Sequence, residues 1–114
     1  MARSFFRVSV LLISLVLSFG LWASDAYWID VRSAEEYQSG HVNEAVNIPY
    51  EEIGARIDEV TEDKEAVIYL YCRSGRRSGI ALETLQRAGY TNVINLGTRE
   101  AAQAFASETP QVQE

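Results

Sequence analysis

Residues 66–85 read Ala66-Val67-Ile68-Tyr69-Leu70-Tyr71-Cys72-Arg73-Ser74-Gly75-Arg76-Arg77-Ser78-Gly79-Ile80-Ala81-Leu82-Glu83-Thr84-Leu85. The opening run, 66–71, is apolar or aromatic on consecutive positions. That is the pattern of a strand covered on both faces, as in a parallel sheet flanked by helices. Ala81, Leu82, Leu85 and Ala88 fall on one stripe of a following helix, which Gly89 should end. Ser78 is the expected N-cap. A strand, a tight glycine-containing turn and a helix start together form an anion cradle: turn N–H groups converge, and the helix N-terminus adds positive partial charge. Cys72, the single cysteine of the chain, stands at the mouth of that cradle with three arginines close behind. The dipole and the arginines should both favour thiolate, so the thiol is expected to titrate low. The loop 72–78 is therefore the candidate active site, and the rest of the chain is expected to hold it.

Working outward, strand and helix patterns alternate. Tyr27-Trp28-Ile29-Asp30-Val31 reads as a short buried strand. Ser33 and Glu36 form a capping box for a short helix that should stop at Gly40. Ala45-Val46-Asn47-Ile48 is a second strand, closed by Pro49. Ile53, Ile57 and Val60 lie on one face of a further helix that begins near Glu51 and Glu52. Past the loop, Val93-Ile94-Asn95-Leu96 is the last strand, and 101–106 reads as a helix around Phe105. This order predicts an α/β fold, an open and mostly parallel sheet with helices on both faces. Ligands of such sheets bind at the carboxyl ends of strands, where Cys72 lies.

The chain has 114 residues, 10 basic and 16 acidic, for a net charge of −6. Arg3 and Arg7, the apolar run 8–21 and Leu21-Trp22-Ala23 have the form of a secretory signal peptide cleaved near Ala23. The run is shorter than the ~20 residues that span a bilayer, so an uncleaved anchor is the lesser reading. The expected organisation is a signal peptide at 1–23, one domain at 24–107 and a flexible tail at 108–114, with a periplasmic address and no membrane contact after cleavage. Losing Arg3 and Arg7 leaves eight basic residues against 16 acidic ones, a charge of −8. That argues against a nucleic-acid partner, whose affinity rests on phosphate contacts. One cysteine excludes an internal disulfide, and one cysteine with one histidine falls short of a zinc site. No cofactor is called for.

The motifs Trp28-Ile29-Asp30-Val31-Arg32, Glu36-Tyr37-Gln38-Ser39-Gly40-His41-Val42, Ala45-Val46-Asn47-Ile48-Pro49, the Cys72 loop and Gly89-Tyr90-Thr91-Asn92-Val93 follow one another at a spacing that resembles the single-domain rhodanese family of thiosulfate sulfurtransferases. The resemblance implies a rhodanese-like three-layer fold with a five-stranded sheet. It implies that Cys72 forms a persulfide, taking sulfane sulfur from thiosulfate and giving it to cyanide or a thiol. Arg73, Ser74, Gly75, Arg76, Arg77 and Ser78 are then the substrate-binding loop. Backbone N–H groups would stabilise the anionic sulfur, Gly75 would let the chain curl, and the arginines would hold the sulfonate. The sequence departs from the family pattern at Glu44, where glycine is usual, and at Gly97-Thr98, where Gly-Gly is common.

Blander readings stand beside these. Cys72 could be an inert buried thiol, and the arginines solvated charge. Asp30 reads as a turn cap or a partner of Arg32, and His41 as a residue that fixes its turn. A cysteine phosphatase or arsenate reductase is the weaker rival, because that motif needs Cys-x5-Arg and Ser78 stands at the arginine position. A sulfur carrier or binding module without turnover is the other rival.

Overall fold

The structure is a computed structural model and describes residues 26–108; the signal-peptide reading and residues 109–114 of the tail lie outside them. Its elements are β1 (Ala26–Asp30), α1 (Ala34–Gln38), β2 (Val46–Asn47), α2 (Ile53–Arg56), β3 (Val67–Cys72), α3 (Arg76–Arg87), β4 (Val93–Thr98) and α4 (Arg99–Glu108). Turns of 3-10 helix at Tyr50–Glu52 and Ile57–Glu59 flank α2. All pairings are parallel, in the order β2-β1-β3-β4. The described sheet thus has four strands where the resemblance implies five. The four are those marked by the apolar runs, and the described segments between them form helices and turns.

Alternation along the strands divides the interior into two layers. Ile29, Ile68, Leu70 and Cys72 face α2 and α3, packing with Ile53, Ile57, Ala81 and Leu85. Trp28 and Tyr71 face the other way, onto Val42, Ala45, Ala102 and Ala106. Trp28 and Tyr69 meet at 4.8 Å between ring centroids. Helices therefore cover both faces, as the consecutive apolar run of β3 requires.

Local signals placed most element ends. Ser33 caps α1 in a reciprocal box: its Oγ accepts from Glu36 N at 3.2 Å, and Glu36 Oε1 accepts from Ser33 N at 2.9 Å. The α3 stripe holds at Ala81 and Leu85, but Ala88 is exposed, because the helix ends there before its last turn reaches the sheet. α4 begins earlier and ends later than 101–106. Thr98 Oγ1 accepts from Ala101 N at 3.0 Å, capping the helix, and burial of Ala106 carries it to Glu108, into the stretch read as tail. The threonine that departs from the Gly-Gly pattern is thus a helix cap, while Gly97 keeps the left-handed backbone at φ 92°.

Candidate active site

Cys72 is the last residue of β3 and is completely buried. The chain then turns through Gly75, whose φ of 97° is left-handed, and α3 starts at Arg76. Ser78 is consequently the third residue of the helix and not its N-cap. The turn at Gly75 brings the first helical residues in over the strand end. A Cβ on Gly75 would lie 3.5 Å from Gly97 Cα, so the loop packs closely on the kinked strand beside it. That kink is a register shift in the β3–β4 pairing, where Leu70 pairs Asn95 but Tyr71 pairs Gly97.

The result is a cage of donors around sulfur. Cys72 Sγ accepts from Gly75 N at 3.0 Å, from Ser78 N at 3.4 Å and from Ser78 Oγ at 3.4 Å. Burial pushes the thiol pKa up. Hydrogen bonds from the Ser78 hydroxyl and from the N–H groups of Ser78, Gly75 and Ser74 outweigh it and hold the thiol below its ordinary value. The direction is the expected one; the hydrogen bonds of the turn are its leading cause, and the Arg77 guanidinium is coupled to the Cys72 charge as well.

The three arginines of the loop divide. Arg77 forms a fork with Glu36 of α1, at 2.9 and 3.0 Å, and so ties α3 to α1 across 41 residues of sequence. The Arg77 guanidinium, with the capping bonds from Ser33, lowers the Glu36 carboxyl to about 2. Arg73 and Arg76 are exposed, and neither has an ion pair among the described residues. Ser74 is exposed at the outer edge of the loop.

Asn95 on β4 was not singled out by sequence reasoning. Its Oδ1 lies 2.7 Å from Ser78 Oγ, whose single proton goes either here or to Cys72 Sγ, and accepts from Gly97 N at 2.8 Å; its Nδ2 donates to Gly75 O at 3.2 Å. One amide therefore ties together the turn, the helix start and the strand kink. The only hint in the sequence is a polar residue inside an apolar strand.

Asp30 and Arg32 form the buried pair expected of them. Arg32 Nε lies 2.9 and 3.0 Å from the two carboxylate oxygens, and Nη2 lies 2.6 Å from Oδ2. His41 Nδ1 lies 2.8 Å from Tyr37 O, and its ring stacks on Tyr37 at 3.6 Å, so it holds its turn and is not aimed at sulfur. Among the described residues, no three His, Cys, Asp or Glu side chains gather as a metal site, and no helix is long and apolar enough to cross a membrane.

The Rhodanese-like domain family matches the chain over residues 20–98. Thiosulfate sulfurtransferase PspE of Escherichia coli (strain K12) is 44% identical over 92 residues, which cover 81% of this chain and 88% of that protein. The putative sulfur carrier protein YrkF of Bacillus subtilis (strain 168) is 43% identical over 68 residues, covering 60% of this chain and 36% of that protein. Among solved structures, a rhodanese with anions from E. coli superposes with a TM-score of 0.67 at 40% identity, covering 79% of this chain and 100% of that one.

Proposed function

The chain belongs to the rhodanese family, a family of sulfurtransferases, and from that premise we propose that it is a thiosulfate sulfurtransferase working through a persulfide on Cys72. Thiolate Cys72 attacks the outer sulfur of thiosulfate. The S–S bond of the donor breaks, its electron pair leaves with sulfite, and sulfane sulfur remains on Cys72. Cyanide or a thiolate then attacks that outer sulfur, and the electron pair of the broken bond returns to Cys72. The observation that carries this reading is the cage of N–H and O–H donors on Sγ, which favours thiolate without a general base and can receive the charge of the persulfide.

Intact mass of the protein recovered from the periplasm tests the reading together with the proposed export. The expected species begins near Ser24 and gains the mass of one sulfur on exposure to thiosulfate. A mass that does not change with thiosulfate counts against the persulfide. Full-length chain in the membrane fraction counts against cleavage. The likeness to a protein named as a putative sulfur carrier supports a second reading, a carrier that loads once for a specific partner. Sustained thiocyanate production from thiosulfate and cyanide separates the enzyme from the carrier.

With Arg77 bound to Glu36, Arg76 is the loop cation on α3 that remains available to the sulfonate. Arg76→Ala is expected to raise the KM for thiosulfate and lower kcat/KM by about ten- to a hundredfold, the worth of a charge-assisted hydrogen bond. Arg76→Lys should recover part of this, since lysine keeps the charge but loses the planar fork. An unchanged kcat/KM in both variants, measured at two salt concentrations, would mean that the backbone cage alone holds the donor.

A further inference from the structure

A cavity of about 280 Å³ opens beside the loop, lined by Arg32, Glu36, Ser39, Arg73, Arg99 and Glu100. Its charges are unevenly matched. Arg32 is bound to Asp30 at 2.6 Å, and Glu36 is bound to Arg77 at 2.9 Å. Arg73 and Arg99 are left without an ion pair among the described residues, although the exposed Glu100 lines the same cavity.

Arg99 is half-buried, and its guanidinium lies where Gly40 has no side chain: a Cβ there would come within 2.8 Å of Nη2 and 3.0 Å of Nη1. Arg32 Nη2 donates to the carbonyl of the same glycine at 2.7 Å. Two guanidinium groups thus converge on Gly40, and only one has its carboxylate. Arg32 is already paired with Asp30, so Arg99, with Arg73 on the same cavity, is the positive charge there that an anion would join.

We propose that this cavity is a subsite for the carboxylate of a small thiol acceptor. The inference rests on the reading of Cys72 as the persulfide carrier. Cys72 does not line the cavity, but its chain neighbour Arg73 does. The ligand that would use both places is a short chain with a thiolate at one end, for the Cys72 persulfide, and a carboxylate at the other, for Arg99. The thiolate attacks the outer sulfur of the Cys72 persulfide. The S–S bond to Cys72 breaks, its electron pair returns to Sγ, and the acceptor leaves as its own persulfide. No external oxidant or reductant enters.

The test compares 3-mercaptopropionate with 3-mercaptopropionamide, which differ in charge but hardly in shape, at equal thiolate concentration. The Cys72 persulfide is installed with inorganic polysulfide as well as with thiosulfate, and its loss is followed in a single turnover. The expected result is an about tenfold faster reaction with the carboxylate thiol, the low end of a charge-assisted hydrogen bond. Arg99→Gln should abolish that preference and leave the reaction with cyanide unchanged. Glu100→Gln should increase the preference by removing a competing charge. Equal rates for the two thiols in the unaltered protein, or a preference that survives Arg99→Gln, overturns the subsite. Failure to load from thiosulfate when polysulfide loads normally counts instead against thiosulfate as the donor.

Discussion

Cys72→Ser is expected to abolish sulfur transfer, with kcat falling by at least ~10⁴-fold, while the protein stays folded. The reason is the composition of the site. Sγ is surrounded by donors, from Gly75 N at 3.0 Å and from Ser78 N and Oγ at 3.4 Å, and these stabilise an anion that has already formed. They cannot remove a proton from a hydroxyl. The single histidine of the chain is engaged with Tyr37, so serine at this position would have no base to activate it. The substitution should cost about 1 kcal/mol of stability, because serine can still accept from Gly75 N in the same place. Thiosulfate–cyanide kinetics and thermal unfolding of the variant test both halves. Activity near that of the parent would remove Cys72 from the mechanism. A companion measurement is the alkylation rate of Cys72 against pH, which should reach its plateau at a lower pH than for a free thiol, since the hydrogen bonds of the turn hold its pKa down.

Arg32→Ala is expected to be the most destabilising single substitution away from the interior apolar residues. Asp30 is completely buried, and Arg32 is only 6% exposed. Arg32 supplies Asp30 with its backbone N–H at 2.9 Å and with the side-chain fork, and its Nη2 also holds Gly40 O. Truncation leaves an uncompensated buried carboxylate, which costs about 3–5 kcal/mol. For a domain of this size that is a fall in Tm on the order of 15–25 °C. The double variant Asp30→Asn with Arg32→Leu should recover much of the loss, because replacing a buried pair by uncharged groups is close to neutral. Urea unfolding of the three proteins measures this. A cost below about 1 kcal/mol for Arg32→Ala would show that Asp30 is not sealed from water.

The parallel α/β architecture was legible in short segments. β3 is apolar on consecutive residues because both its faces are covered, and that pattern needs no partner to be read. The Ser33–Glu36 box lies within one helical turn, so its residues announce it. Cys72 at the end of a strand, before a glycine and a helix, pointed to the candidate site for the same local reason. The Asp30–Arg32 pair, two residues apart, was within reach of the same kind of reading.

What tertiary structure decided depends on residues that are distant in sequence. The start of α3 at Arg76 follows from the left-handed turn at Gly75, packed on the kink at Gly97. Ser78 therefore serves as a donor to sulfur and not as a helix cap. Asn95 reaches Ser78 across 17 residues because β4 lies beside β3 in that register. Arg77 turns to Glu36 because α1 and the start of α3 meet near the carboxyl end of the sheet, which leaves Arg76 and Arg73 as the loop's available cations. The placing of Arg99 against Gly40 has the same origin, joining the end of α1 to the start of α4. Periodicity and capping are set by interactions within a turn or along one strand. The partner of a charge or a hydroxyl is set by which strands pair and in what register, and only the folded chain determines that.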